Sequence, residues 1–280
     1  GGMEGGSAAA ELLCGGVSPS GKLSDTFAKK LEDYPSSETF HESVKYVDYK
    51  EDIYVGYRYF ETIPGADKAV NYPFGYGLSY TTFERALVSA EEKQGVIRVR
   101  VNVTNTGKYP GKEVMQLYAQ APQGVLGKAK RVLAAFEKTR LLAQGETQLL
   151  TLEAPVAQLA SYDDLGKIQK SAYVLEKGKY QFYLGTSVRE TEQVFCFTMP
   201  EDTVTEQLTA KLVPTSLAER MLSDGSFEKL PQSEPNDPDY SAIKRVPREE
   251  SDGFSPAVRA LPGHQIWSQP YKKDAHIFME

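Results

Sequence analysis

The strongest constraint on the fold is a run of eight residues in which every second side chain is apolar. The run covers residues 96–103 (VIRVRVNV) and places Ile97, Val99, Val101 and Val103 on one face. A period of two over eight residues is typical of a β-strand with one buried face. An Asn-Thr-Gly sequence at 105–107 follows after one residue and marks a turn. The pattern therefore predicts a strand that ends in a turn.

Four more segments between residues 84 and 200 have the same character. They are Glu113–Ala119, Gly145–Leu152, Lys179–Leu184 and Val194–Met199. Short strands separated by turn signals, with little helical periodicity, favour an antiparallel β-sandwich. We expect a mainly β chain, with this sandwich over 84–200 as the part that holds its own core.

The flanking regions, 1–83 and 201–280, are different. Ser7–Cys14 is rich in Ala and Leu between glycine pairs, which predicts a short helix. The aromatic run Tyr54–Phe60 predicts a strand. Residues 201–280 are charged and aperiodic, and nine of the 16 prolines lie between Pro200 and Pro270. They predict an extended arm with one local helix, because Ser216 and Glu219 have capping-box spacing and Gly225 ends the run. Scattered apolar residues such as Trp267 suggest that the arm docks on a larger body.

Composition excludes several function classes for this 280-residue chain. A net charge of −6 without a long basic run argues against nucleic-acid binding. The sequence contains no stretch of about 18 apolar residues, the length that a membrane-spanning helix needs. The first residues have no charged region followed by an apolar run, so they predict no signal peptide. The compartment stays open, with the cytoplasm favoured over secretion.

The sequence also predicts neither a metal site nor a disulfide framework. His41, His264 and His276 are scattered and lack zinc-ligand spacing. We therefore expect no protein metal site and no cofactor. Cys14 and Cys196 are expected to be ordinary buried thiols.

Four blocks, in order along the first 83 residues, carry a specific resemblance. They are Gly1–Ala9 (GGMEGGSAA), Val17–Leu23 (VSPSGKL), Ile53–Phe60 (IYVGYRYF) and Tyr72–Phe83 (YPFGYGLSYTTF). The blocks resemble the C-terminal edge of the α/β sandwich domain of glycoside hydrolase family 3, with Ser18 where that family has Asn. Residues 84–200 resemble the fibronectin III-like domain of the same family. Within the tail, 217–226 resembles the connector of members in which the catalytic barrel follows these two domains.

The resemblance implies part of a β-glucosidase-like enzyme. Retaining hydrolysis needs two carboxylates about 5–5.5 Å apart. In the family the nucleophilic Asp belongs to a TIM barrel, and the acid/base Glu precedes the segment that matches Gly1–Ala9. Neither carboxylate is expected here, so no catalytic residue is assigned and the isolated chain is predicted to be inactive. The implied partner is the rest of the enzyme, joined covalently or as a second chain. The substrate of the full enzyme is then a β-glucoside or an oligosaccharide.

The acidic residues that are present have simpler interpretations. Glu4 is expected to cap or anchor the first helix. The pair at 163–164 lies in a predicted turn, and the pair at 51–52 precedes a predicted strand. His41-Glu42 has no Ser or Cys motif beside it. The aromatic blocks suit an interface between domains better than direct sugar contact, and Arg58 among them could stack on a ring or hold a carboxylate.

Two other functions remain open from the sequence alone. One is an autonomous β-sandwich module that binds protein or polysaccharide, and the other is a complete enzyme that uses the carboxylates set aside above. The first 80 residues discriminate, because an independent module would not need an edge full of exposed aromatic side chains.

Overall fold

The structure, a computed structural model, describes residues 2–41, 43, 46–210 and 217–231. This part of the chain contains two short α-helices and fourteen β-strands, and all strand pairs are antiparallel. The expected mainly β fold class is confirmed. None of the helices in these residues is long and apolar enough to cross a lipid bilayer.

Two sheets form a β-sandwich, which we define as residues 83–199. The three-stranded sheet has the order β3-β4-β7 and consists of β3 (Phe83–Lys93), β4 (Val96–Asn105) and β7 (Thr147–Pro155). The four-stranded sheet has the order β11-β10-β5-β6 and consists of β5 (Val114–Gln120), β6 (Val132–Lys138), β10 (Gly178–Gly185) and β11 (Thr191–Met199).

The core lies between these sheets and follows the alternation in the sequence. Ile97, Val99, Val101 and Val103 are at most 1% exposed, whereas the residues between them on β4 are half-buried. They pack in one cluster with Leu117 of β5, Leu152 of β7 and Phe182 of β10. Full burial of such a side chain stabilises the fold by about 1.5–3 kcal/mol. The sandwich therefore has a self-contained core.

A smaller sheet extends one end of the sandwich. It has the order β12-β9-β8 and consists of β8 (Ser161–Asp163), β9 (Ala172–Leu175) and β12 (Thr203–Gln207). Strand β12 lies inside the region that the sequence assigned to an extended arm. Its backbone pairs with β9, from Thr203 opposite Leu175 to Gln207 opposite Ala172.

The local helix predicted at 216–225 is wrong, because residues 217–231 form a β-hairpin instead. Strand β13 (Glu219–Met221) pairs with β14 (Phe227–Lys229), and Gly225 adopts φ +85° in the turn between them. The backbone N–H of Met221 also donates to the Lys50 carbonyl at 2.7 Å. The cross-strand pairing of the hairpin, together with the distant contact to Lys50, outweighs the local capping signal. The rest of the predicted arm, including Trp267, lies outside the described residues.

Residues 2–80, which we call the N-terminal segment, have little core of their own. Their elements are α1 (Gly5–Leu13), β1 (Phe27–Ala28), α2 (Tyr57–Phe60) and β2 (Val70–Tyr72). Helix α1 confirms the predicted helix, although none of its side chains is buried. Among its described residues, the buried apolar ones are Tyr54, Phe60 and Val70.

The strand predicted over Tyr54–Phe60 is also wrong. Gly56 takes φ +52° and its carbonyl accepts the Phe60 N–H at 3.1 Å, so Tyr57–Phe60 form a short helix. The turn buries Phe60 completely, in edge contact with the Tyr34 ring at 5.6 Å. Tertiary packing of the rings therefore overrides the β-propensity of an aromatic run.

Both cysteines are free and exposed, so the expectation of buried thiols is wrong. Cys14 follows a helix that has no buried face. Cys196 lies on β11 between Phe195 and Phe197, which pack against the core. Because side chains alternate along a strand, the thiol between them points outward.

Candidate functional site: an interdomain junction and a charged cleft

An aromatic cluster fastens the N-terminal segment to the sandwich. Tyr57 of α2 lies against Phe74, with ring centroids 4.4 Å apart, and both rings meet Tyr118 of β5 edge-on at 6.4 Å. The Tyr57 hydroxyl accepts the Leu133 N–H of β6 at 3.0 Å. Such rings combine large apolar area with a polar group that can be satisfied in a junction. We call this contact the junction.

The buried side-chain amide of Gln116 determines how closely the N-terminal segment approaches the sandwich. The Gln116 side chain donates from Nε2 to the Thr186 carbonyl at 2.7 Å and to the Gly75 carbonyl at 3.3 Å. Its Oε1 accepts the hydroxyl of Tyr118, and burial raises the pKa of that phenol. Gly75 has φ +79°, and a Cβ there would collide with the Gln116 amide. Only glycine therefore allows this approach without a shift of its neighbours.

Ion pairs at the rim hold the same two bodies together. Arg189 donates to Glu61 Oε1 at 2.7 Å and to the Asp67 carbonyl at 3.0 Å. Lys22 lies 2.8 Å from Glu113, and both side chains are largely buried. Charge-assisted hydrogen bonds of this geometry add orientation as well as stability. The junction is therefore a specific, fixed contact.

The Asn-Thr-Gly motif has a structural role next to the junction. The Asn105 amide donates to the carbonyls of Tyr109 and Leu142, both at 2.8 Å. Its Oδ1 accepts from the hydroxyl of buried Thr81 at 2.6 Å and from the Gly107 N–H at 3.1 Å. One side chain thus satisfies groups from three loops, including the link between the segment and β3.

A second feature is a charged cluster where the hairpin meets the body. Arg220 of β13 donates from Nη1 to both oxygens of Asp164, at 2.9 and 3.0 Å, and from Nε to Glu228 at 2.8 Å. Asp52 of the N-terminal segment lies 3.7 Å from the same guanidinium, and Lys167 pairs with Glu228 at 2.9 Å. Partial desolvation raises the pKa of the Asp52 carboxyl although its side chain stays partly exposed, and the nearby Arg220 opposes this rise. The cluster joins segment, sandwich and hairpin.

A cleft of about 710 Å³ opens beside this cluster. Its floor is made of small side chains, among them Ala119 and Ala134 from one sheet and Ala154 from the other. The tyrosines of β8 and β9, Tyr162 and Tyr173, line one side. The volume falls in the range of about 300–1,000 Å³ typical of small-molecule sites.

A buried lysine lies in the wall of the cleft. Lys128 Nζ donates to the Ser161 hydroxyl at 2.5 Å and lies 3.5 Å from Glu176 Oε2. Both charged side chains are at most 6% exposed. Burial lowers the Lys128 pKa, and the Glu176 carboxylate offsets part of that effect. The pair is held inside the wall rather than presented to a substrate.

The acidic residues set aside in the sequence occupy structural positions. Asp163 accepts four backbone N–H groups, from residues 166–169 at 2.7–3.0 Å, and thereby organises the loop after β8. Asp164 is held by Arg220. Glu51 is buried, whereas its neighbour Asp52 is exposed. The Asp163 carboxylate is therefore engaged by backbone N–H groups, and the Asp164 carboxylate is engaged by Arg220.

Other sequence expectations are met in part. Glu4 stands at the N-cap of α1, as expected, but its side chain makes no capping hydrogen bond. His41 packs edge-on against Phe40 at 4.6 Å, and Glu42 lies outside the described residues. The Arg58 side chain is exposed on the cleft and makes neither an ion pair nor a hydrogen bond to another described residue. Within the described ranges, no group of three or more His, Cys, Asp or Glu residues could hold a metal ion.

Comparison with known proteins connects both bodies to one family of enzymes. Residues 1–80 match the model of the glycosyl hydrolase family 3 C-terminal domain, and residues 113–188 match that of a fibronectin type III-like domain. The chain is 52% identical over 302 aligned positions to β-glucosidase A of Butyrivibrio fibrisolvens, which covers 100% of this chain and 36% of the relative. It is 44% identical to a β-glucosidase of Ruminococcus albus, over 94% of this chain and 27% of that relative.

A solved structure extends the similarity to three dimensions. The crystal structure of a β-glucosidase from Paenibacillus barengoltzii superposes with a TM-score of 0.79 at 48% identity. The match covers 84% of this chain and 27% of that protein. The chain thus spans only about a third of the length of these relatives or less.

Proposed function

The chain belongs to glycosyl hydrolase family 3, and from this premise we propose that it is the part of a β-glucosidase that docks and positions the catalytic portion. The observation that carries the proposal is the unequal burial of its two bodies. The sandwich has a closed core and the junction is fixed, yet the N-terminal segment leaves Leu13, Phe27 and Leu31 at least half exposed. Exposed apolar side chains concentrated on one body are typical of an interface.

In this proposal the missing surface is the rest of the α/β sandwich domain and a TIM barrel. These parts would supply the nucleophile and the acid/base carboxylate for retaining hydrolysis of a β-glucoside or an oligosaccharide. The proposal divides the chain into three regions. Residues 1–83 complete the α/β sandwich domain, residues 84–200 form the fibronectin III-like domain that fixes its position, and residues 201–280 form the extended arm. No cofactor is required for this chemistry. The structure also supports the proposal by leaving Asp163 and Asp164 committed to backbone and arginine contacts.

An autonomous binding module is the second candidate, because the sandwich core is self-contained. The junction speaks against it. A module that worked alone would gain nothing from a buried Gln116 network that fixes a largely exposed segment in one orientation.

Complementation tests the proposal directly. The purified 280-residue chain should not hydrolyse an aryl β-glucoside above background. A truncated form of the Butyrivibrio fibrisolvens β-glucosidase A, lacking the region that matches this chain, should also be inactive. Mixing the two should restore hydrolysis if the chain docks and orders the catalytic portion.

Two substitutions of one kind provide the control. Leu31→Asp changes a side chain that is 72% exposed on the N-terminal segment, and Leu141→Asp changes one that is 56% exposed on the sandwich. We expect Leu31→Asp to reduce the restored activity at least tenfold, because a charge would have to be buried at the interface. Leu141→Asp should leave it unchanged. Turnover by the chain alone that follows the protein peak through repurification would overturn the proposal.

A further inference from the structure

An aromatic platform lies on one wall of the cleft. Tyr162 of β8 and Tyr173 of β9 are direct cross-strand partners, so both rings stand on the same face of the small sheet. Their centroids are 5.4 Å apart with the planes tilted by 53°. They remain 40% and 38% exposed. A pair of half-exposed rings lining a cleft offers apolar surface to a ligand.

The same cleft presents polar groups that are free and groups that are rigid. Gln158 and Arg58 line it, and neither side chain has a hydrogen bond or ion pair to another described residue. Asp164 and Arg220 also line it, and their bidentate pair at 2.9 and 3.0 Å holds both side chains in one orientation. Fixed acceptors and donors beside free ones can recognise groups that both donate and accept, as hydroxyls do.

The charges of the lining nearly cancel. Asp52 and Asp164 carry negative charge, whereas Arg58, Lys128 and Arg220 carry positive charge. A phosphate or polyanion site would instead gather unpaired cations. A ligand rich in hydroxyls but without charge fits this balance better.

We infer that the cleft binds a neutral β-linked gluco-oligosaccharide, with the C–H face of a sugar ring on Tyr162 and Tyr173 and its hydroxyls on Gln158, Arg58 and Asp164. The choice of gluco-configured units rests on the proposed β-glucosidase function. The platform, the free polar groups and the charge balance are independent of it. The cleft volume of about 710 Å³ accommodates more than one sugar unit.

Titration of the 280-residue chain with cellotriose, followed by calorimetry and by saturation-transfer NMR, tests this inference. The chain should bind the trisaccharide saturably. Tyr162→Ala and Tyr173→Ala should each weaken binding about tenfold, because each removes one ring of the platform. Tyr109→Ala is the matched control: its ring is 61% exposed on a turn outside the cleft, so binding should equal that of the unchanged chain.

Two exposed polar positions keep the test decisive if a tyrosine variant fails to fold. Arg58→Ala and Gln158→Ala remove side chains that support no other described residue, and each should weaken binding several-fold at an unchanged melting temperature. Absence of saturable cellotriose binding, or equal binding by all variants, would overturn the inference. Because this titration involves no hydrolysis, its failure would leave the complementation result standing, and the reverse also holds.

Discussion

The β-sandwich and the N-terminal segment are held together at the junction, yet they reach their structures by different means. Of the 25 buried hydrophobic residues in the part of the chain that the structure describes, three lie in the segment. The sandwich buries alternate side chains of its own strands against each other, whereas the segment places rings such as Tyr57 against a neighbour. Local sequence patterns therefore determine the first body, and contact with other surfaces determines the second.

The largest difference between the two bodies should appear when each is produced as a separate fragment. A fragment of residues 81–208, which keeps Thr81 and the β12 strand, should unfold in one cooperative transition. A fragment of residues 2–80 should show none, because it cannot bury enough apolar surface to offset the entropy of ordering its chain. Circular dichroism during urea titration measures both. A sharp transition for 2–80 alone would show that the segment is a domain in its own right.

The same substitution, Leu→Ala, should lower the free energy of unfolding by several kcal/mol more in the sandwich than in the N-terminal segment. Leu117→Ala removes a side chain that is fully buried in the sandwich, and we expect a loss of about 2–5 kcal/mol in the free energy of unfolding. Leu31→Ala removes one that is largely exposed on the segment, and the loss should stay within about 0.5 kcal/mol. Urea unfolding of the 280-residue chain gives both values. Similar losses for the two variants would mean that Leu31 belongs to a core after all.

A third, smaller effect concerns one loop of the sandwich. Asp163→Asn keeps the shape of the side chain but loses a charged acceptor for four backbone N–H groups. We expect a loss of about 1–3 kcal/mol at neutral pH, measured by urea unfolding. Glu91→Gln, on the exposed strand β3, is the control and should be neutral.

The pH dependence of that loss follows from the direction of the pKa shift. Burial alone would raise the Asp163 pKa, but the four N–H hydrogen bonds outweigh it and hold the pKa below its ordinary value. The ionised group therefore contributes fully above the unfolded-state pKa of about 3.9 and loses its contribution as the pH falls through the lower folded pKa. The difference between the unchanged chain and Asp163→Asn should shrink below about pH 4. A difference that stays constant down to pH 3 would contradict this role.

The same contrast explains which features could be predicted from the sequence. Strand β4 was predictable because its period of two is local to eight residues. The helix at Tyr57–Phe60 was not, because it depends on packing of Phe60 against Tyr34 and not on propensity. The hairpin was missed for a similar reason: Arg220 finds its partner at Asp164, 56 positions away.

The cleft is the extreme case of this limit. Its lining combines Asp52, Ala119, Tyr173 and Arg220, which are far apart in the sequence and belong to different elements. No short motif connects them, and Tyr162 falls in a segment that the sequence predicts to be a turn. A signal was present in the alternation of β9, which places Tyr173 on the outer face, but only the pairing with β8 shows that a second ring stands beside it.

The two exposed thiols allow docking of a partner on this chain to be detected by chemical labelling. Cys14 lies at the end of α1 on the N-terminal segment, and Cys196 lies on the outer face of the sandwich edge. Maleimide dyes would therefore attach to both bodies without any engineered cysteine. Single Cys→Ser variants would carry one label each. The labelling rates at Cys14 and Cys196 could then be compared with and without a docking partner. A partner that covers the N-terminal segment alone would slow labelling at Cys14 and leave the rate at Cys196 unchanged.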